Sequence, residues 1–405
     1  MDLQSGYPFW PIRNGLMHVF PPLEDDVRCD VLVVGAGITA ALVARELANA
    51  GLDVVVVDER DIAWGSTAAS TALLQYEIDT HLVDLGKRYG SEAGVLTYLQ
   101  CRDAMYDLEA ICAEIGDVDF AAADSLYLAS SRRDSPSVRH EFEARRQAGL
   151  SVNWLSPREL AEKYAVTAYG AILSRPAGRV DPYRFTSRLL ALLHVRGVRV
   201  FDRTRVESWT TTERGAIAIT RHGAKVRARY VVIAAGYAAQ EYLRRKIAKN
   251  RSTYAWISDV QKPQSLGIWA STLLWESARP YVYLRPTSDH RIIVGGEDDR
   301  IDLPSRRDRR LPNKVRKLQR RVANLLPAVV LEPAFAWGGT FAETADGLPY
   351  FGPEPGASPR ILYALAYGGN GITYAVIGAR LLTERILRKP LSPIGDLFSF
   401  RRTER

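Results

Sequence analysis

The sequence predicts an α/β protein with an antiparallel, α+β region set into it. Three observations predict this. Residues 29–60 read strand, glycine turn, helix, strand; residues 361–387 read strand, glycine loop, helix; residues 281–295 alternate about a turn as a hairpin does. With 405 residues, 47% hydrophobic and 25% charged, the chain can bury a large core and has the composition of an ordinary globular protein.

The first unit carries the most chemistry. Residues 31–34 read as a buried strand, and Gly35-Ala36-Gly37-Ile38-Thr39-Ala40 is a GxGxxA turn. Residues 41–50 continue as a helix that Gly51 ends, and the apolar run 54–57 stops at Asp58. Gly35 permits the sharp turn, Gly37 lets backbone approach a pyrophosphate, and small Ala40 lets helix and strand pack closely. The helix N-terminus presents free N–H groups and a positive dipole end to the phosphates. Asp58 lies about 20 residues beyond the turn, where an acid accepts hydrogen bonds from ribose hydroxyls. Glu59 and Arg60 follow; Asp58 is preferred because it ends the apolar run directly. The unit is Rossmann-like, and by itself it does not separate FAD from NAD.

Residues 62–71 form a loop of small and hydroxyl residues, suited to close approach of a diphosphate and a flat ring. Leu108, Ile111, Cys112 and Ile115 mark an amphipathic helix. Residues 230–236 read as a buried strand ending in small residues, and the hairpin turns at Thr287-Ser288-Asp289-His290. The net charge of +8 is concentrated between Arg300 and Arg321, with a second cluster from Arg244 to Arg251. There Val315, Leu318, Val322 and Leu325 follow helical spacing, and Lys314, Arg316, Lys317, Arg320 and Arg321 surround them; this reads as a solvated helix face and not as a nucleic-acid site. The loop 367–373 feeds a last helix whose N-terminal dipole suits negative charge on a reduced flavin.

The longest charge-free stretch, residues 361–379, is interrupted by the glycine loop, so no membrane span is expected. The N-terminus lacks a secretory pattern, and Cys29, Cys101 and Cys112 form no CxxC, which together suggest a reducing cytoplasm. The six histidines show neither metal-ligand spacing nor a Ser/His/Asp order, so no metal is expected.

The GxGxxA turn combined with GSTAAST (65–71), VVIAAG (231–236), TADGLP (344–349) and GGNGIT (368–373) resembles the D-amino-acid oxidase superfamily of FAD-dependent oxidoreductases over nearly the whole chain. That superfamily includes sarcosine, glycine and γ-glutamylputrescine oxidases. The resemblance implies an FAD domain assembled from 1–84, 175–245 and 337–405, and an antiparallel-sheet substrate domain from 85–174 and 246–336, which would include the helix around Leu108. It implies pyrophosphate contacts at Gly35, Ala36, Gly37, Ile38 and Thr39, and ribose at Asp58 with Glu59 and Arg60 beside it. Further FAD contacts fall at Gly65, Ser66, Thr67, Leu74 and Gln75, with Val206 at adenine and Ala235 and Gly236 along the dinucleotide. Gly339, Gly369, Asn370, Gly371, Ile372 and Thr373 would sit at the isoalloxazine end.

The chain departs from its relatives in three ways. Gly339 stands where the sarcosine branch has a flavin-linking cysteine, and no cysteine follows Cys112, so the resemblance implies non-covalent FAD. Phe341 and Gly369 stand where amino-acid oxidases hold the substrate carboxylate with arginine, leaving only Arg285 or Arg291 to replace it. Ile293 stands where a lysine activates oxygen, and Lys262 does not match it, so oxygen or another electron acceptor remains open. Trp337-Gly338-Gly339-Thr340 and the aromatic lead-in (Tyr7, Phe9, Trp10, Pro21, Pro22) look like the γ-glutamylputrescine oxidase branch. The implied reaction is oxidation of the C–N bond of a small amine to an imine, by hydride transfer to flavin N5. Alternatives are an α-amino or N-methyl amino acid oxidase or dehydrogenase, and a tRNA-associated or non-catalytic flavoprotein. Tyr254, Trp256, Tyr281, Tyr283 and Trp337 are expected in the pocket walls, Glu343 against a substrate ammonium, and Gln75 and Glu77 toward the flavin.

Overall fold

The computed structural model describes residues 2–300 and 302–404, and the strand counts below refer to these. An eight-stranded sheet runs Tyr350–Gly352, Ile361–Leu365, Lys225–Ile233, Val27–Val34, Val54–Val57, Arg199–Phe201. Its centre is parallel, and the hairpin Val206–Thr211/Ala216–Thr220 pairs onto Lys225–Ile233. Val54–Val57 is buried throughout, as a β-branched run must be inside a parallel sheet covered on both faces. Helix Ile38–Asn49 starts one turn earlier than expected, because Gly37 is already its N-cap.

The ten-stranded sheet runs Gln4–Gly6, Pro333–Thr344, Ala248–Ser258, Ile292–Asp299, Val282–Pro286, Thr272–Glu276, Ala121–Leu128, Ala171–Arg179, Leu73–Gln75, with Ser151–Leu155 attached to Ala171–Arg179. All its pairings are antiparallel except Thr272–Glu276 with Ala121–Leu128. The fold class is therefore the one expected. The sheets do not divide at 174/175 or 336/337, however. Ala171–Arg179 and Pro333–Thr344 run through both positions, and Gln4–Gly6 and Leu73–Gln75 join the antiparallel sheet. A strand ends where its ladder of partners ends, which composition does not mark.

Helix Ser91–Ile115 also differs from expectation. Leu108, Ile111, Cys112 and Ile115 share one core with helices Ile38–Asn49 and Gly371–Ile386, so this helix packs on the parallel-sheet side. Its apolar face finds the larger apolar surface there.

The basic helix is Pro304–Leu325, with Leu318 and Val322 buried beneath it. Much of its charge is turned inward. Glu297, 1% exposed, takes Lys317 Nζ at 2.6 Å and Arg321 Nη1 at 2.7 Å, and Asp299 takes Arg310 at 2.8 Å and Lys314 at 3.1 Å. Burial opposes the Glu297 charge, yet the bonds from Lys317 and Arg321 hold its carboxyl below the ordinary range. The helix is thus held to the sheet by ion pairs as well as by apolar contact. A second buried network joins Arg145 to Glu77 at 2.7 Å and to Glu141 at 2.8 Å, with all three side chains fully buried. Among the described residues no helix is long and apolar enough to cross a membrane.

Candidate active site

A long cavity lies between the C-terminal ends of the parallel strands and the inner face of the antiparallel sheet. Its first end is built by the GxGxxA turn. Gly35 has φ +117°, and a Cβ there would stand 2.4 Å from Ala234 O, so only glycine fits. Gly37 caps the helix, and Ile38 N–H donates to Thr67 Oγ1 at 3.0 Å, which ties the 66–69 segment (a short helix, where a loop was expected) to the turn. Asp58 accepts from Ala36 N–H at 2.6 Å and from Arg60 N–H at 2.8 Å. Burial pushes its carboxyl up to about 6, against the pull of those two N–H groups.

Gly35, Gly37, Ile38, Thr39, Asp58, Glu59, Arg60 and Val206 line this end; Gly65, Ser66, Thr67, Ala235 and Gly236 line the middle; Gln75, Gly339, Gly369, Asn370, Gly371, Ile372 and Thr373 line the far end. Ala36 and Leu74 lie behind the wall: Ala36 contributes through its bond to Asp58, and Leu74 is a core residue. At the far end Asn370 Nδ2 donates to Glu77 O at 2.6 Å and Thr373 Oγ1 to Gln75 O at 3.1 Å, which locks the second glycine loop onto the strand end.

The lining fits FAD. Two helix N-termini face the cavity, and the donors of a first helical turn have no intrahelical partners. Ser66 Oγ and Gln75 Oε1 are buried with no hydrogen-bond partner, which marks them as contacts awaiting a polar ligand. Among the described residues no cysteine thiol or histidine imidazole lines the cavity. Nor do those residues contain a cluster of metal-binding side chains.

Of the expected pocket residues, Tyr281, Tyr283 and Trp337 line the far end. Trp337 Nε1 donates to Ala69 O at 2.8 Å, and the Tyr283 ring lies across Gly295, where a Cβ would collide with it. Four expectations are corrected. Tyr254 and Trp256 face the opposite side of their strand, beneath the basic helix, where Tyr254 Oη donates to Asp299; Thr253 and Ala255 face the cavity instead. Glu343 points to the rim and pairs with Arg251 at 2.5 Å. Glu77 is consumed by Arg145 and Ser174. Arg285 is 1% exposed and spends its guanidinium on Thr71 O, Val180 O and Pro286 O, and Arg291 binds Ser258 O and Asp289. Neither arginine lines the cavity.

Sequence reasoning missed two carboxylates, Asp79 and Asp298, together with Trp275 and Thr253; Phe341, noted only as a missing arginine, is also in the wall. Asp79 follows the FAD loop and accepts from Gly369 N–H at 3.3 Å; Asp298 stands on strand Ile292–Asp299, with Thr253 in hydrogen-bonding reach. Burial raises the Asp79 carboxyl and pushes that of Asp298 up to about 6; Asp79 adds to the second shift. Asp298 Oδ1 is buried with no partner. The available signal was period two: Glu297 and Asp299 point to the basic helix, so Asp298 points the other way.

The sequence profile of the DAO family, described as FAD dependent oxidoreductase, matches residues 30–385. Gamma-glutamylputrescine oxidoreductase of Escherichia coli (strain K12) is 24% identical over 381 residues, covering 90% of this chain and 85% of its own. Glycine oxidase of Bacillus licheniformis is 25% identical over 370 residues, covering 90% and 94%. The crystal structure of glycine oxidase from Geobacillus kaustophilus superposes with a TM-score of 0.76 at 22% identity, over 93% of this chain and 99% of that one, a likeness of fold.

Proposed function

This chain belongs to the DAO family of FAD-dependent oxidoreductases, and from that premise we propose that it oxidises a small cationic amine in preference to an amino acid. The observation that carries this reading is the charge of the cavity's far end. Asp79 and Asp298 stand there with Trp275, Tyr281, Tyr283 and Phe341, and no arginine, lysine or histidine lines that end among the described residues. A substrate carboxylate would meet two carboxylates and no cation. An ammonium would meet charge-assisted acceptors and aromatic faces.

Gly37, Ile38 and Thr39 would hold the pyrophosphate, Asp58 the ribose, Val206 the adenine, and Gln75, Gly339 and residues 369–373 the ring system. FAD supplies, when bound, an acceptor for the hydride that leaves the carbon next to nitrogen. The protein's part is positional. Tyr281, Tyr283 and Trp337 wall the substrate off from water, which strengthens every charge interaction inside. The substrate nitrogen must lose a proton before its lone pair can assist, and Asp298 Oδ1, unpartnered and raised toward neutrality, is the acceptor in reach of the cavity. Oxygen or another oxidant completes the cycle. Three free thiols, two of them buried, suit a reducing compartment such as the cytoplasm.

The test is anaerobic mixing of the FAD-loaded protein with primary amines, secondary amines and amino acids while the visible flavin band is followed. Bleaching by amines and not by glycine or D-alanine is expected. Bleaching by amino acids alone would overturn the reading.

A further inference from the structure

We propose that the substrate is a dication, a linear diamine or polyamine whose two nitrogens are held by Asp79 and Asp298. This rests on the amine reading above and narrows it. The argument starts from how the rest of the molecule treats buried carboxylates. Glu77 and Glu141 share Arg145, Glu297 has Lys317 and Arg321, and Asp346 accepts from Arg402 Nε at 2.8 Å. Asp181 and Glu354, buried without a salt bridge, instead have both oxygens bonded to N–H groups, since an uncompensated buried charge is costly. Asp79 and Asp298 break the pattern. Neither makes a salt bridge within the described residues: Asp79 has one long backbone N–H bond, and Asp298 Oδ1 has nothing.

Two cations act on these acids, and only at a distance. Arg279 acts on Asp79, with its guanidinium 4.9 Å above the Tyr281 ring and Nη1 donating to Ala278 O at 3.2 Å, and Arg251 acts on Asp298 while paired with Glu343 at 2.5 Å. The two acids stand on different walls. Asp79 is on the segment after strand Leu73–Gln75, against the second glycine loop, where a Cβ on Gly369 would lie 2.8 Å from Asp79 Oδ2. Asp298 is on the antiparallel sheet beside Thr253. Tyr281 lines the cavity with both and lies close enough to feel the charge of each. A monocation would compensate one acid and leave the other, half-buried in the cavity wall, without a cation. Two cations joined by a short apolar chain would satisfy both, with the chain running over Tyr281 and Tyr283, whose ring centroids are 5.7 Å apart.

The test uses the FAD-loaded protein reduced with dithionite, so that binding is read without turnover. Calorimetric titration would compare straight-chain monoamines with α,ω-diamines of equal carbon count, on the wild type, Asp298→Asn and Asp79→Asn. We expect the best diamine to bind the wild type about tenfold or more tighter than its monoamine, the scale of one added charge-assisted hydrogen bond. Each Asn variant should weaken the diamine far more than the monoamine and so close the gap. The two variants sit on different walls, so one that fails to fold leaves the other to decide. Equal wild-type affinities for diamine and monoamine, or a gap that survives both variants, overturns the dication and leaves the amine reading standing. Binding by amino acids with none by any amine overturns both.

Discussion

Two glycines two residues apart make opposite predictions under the same substitution. At Gly35, alanine must adopt φ +117°, which costs about 1–3 kcal/mol. Its Cβ would also lie 2.4 Å from Ala234 O and 2.8 Å from the Ala234 carbonyl carbon. That backbone cannot retreat freely, because Ala234 N–H donates to Val34 O at 2.8 Å and Gly35 N–H to Val57 O at 2.7 Å. Overpacking of this kind adds about 1–3 kcal/mol. Gly35→Ala should therefore destabilise the FAD-free protein by about 2–6 kcal/mol, or roughly 2–7 °C at an unfolding entropy of about 2.1 cal/mol/K per residue.

Gly37 has ordinary extended backbone, φ −82°, and a Cβ there meets only Thr67 Oγ1, at 3.1 Å. Displacing that hydroxyl strains one hydrogen bond, about 1 kcal/mol. The methyl otherwise enters the cavity where the pyrophosphate is proposed to lie. Losing one charge-assisted backbone contact to phosphate costs about 1.5–3 kcal/mol, or roughly 10–150-fold in Kd. Thermal melts of FAD-free protein and a fluorescence titration with FAD separate the two effects. Gly35→Ala should melt early, whereas Gly37→Ala should melt within a degree or two of wild type and bind FAD poorly. If Gly37→Ala folded normally and bound FAD like the wild type, no pyrophosphate would sit at this turn. If both variants lost the same stability, Gly37 would be a folding glycine only.

Other predictions follow from single groups. Arg145→Ala strands Glu77 and Glu141 without their shared cation, and should cost about 3–5 kcal/mol in denaturant unfolding; a cost below about 1 kcal/mol would mean that water reaches the cluster. Asp298, raised from 3.8 to about 6, is protonated below that pH and cannot hold a cation, so kcat/KM for an amine should fall as pH drops through about 6. Asp298→Asn should remove that limb of the profile, and an unchanged limb would assign it to another group. Glu343→Ala breaks a half-exposed pair with Arg251 and removes a charge that Asp79 and Asp298 feel only weakly, so stability should change by no more than about 1 kcal/mol and amine affinity by less than tenfold. A tenfold loss of affinity would return Glu343 to the site.

The parallel half of the fold was legible because its signals are local. A turn that needs positive φ at Gly35, a small residue at Ala40 and four successive valines at 54–57 each constrain neighbours a few residues away. The glycine loop at 368–373 is legible for the same reason. The antiparallel half depends on pairing between distant segments, and there the reading slipped. Helix Ser91–Ile115 has an unmistakable apolar face, but nothing in its own sequence says which of two sheets will receive it. Strands Ala171–Arg179 and Pro333–Thr344 continue past the expected boundaries because their partners do.

The substrate end was hardest to read, because its polarity depends on strand phase. Tyr254 and Trp256 drew attention as aromatics, yet Ala255 between them faces the cavity and they face the basic helix. One residue of phase exchanges the whole set of side chains between two environments. The same rule hid Asp298 inside Glu297-Asp298-Asp299, which reads as one acidic run. Its outer members neutralise Lys314, Lys317 and Arg321, and only the middle one is left over for the cavity. The excess positive charge that raised the question of nucleic acid and the negative charge proposed to select an amine thus arise together. The helix takes the acids of one sheet face, and what remains on the other face sets the charge of the pocket.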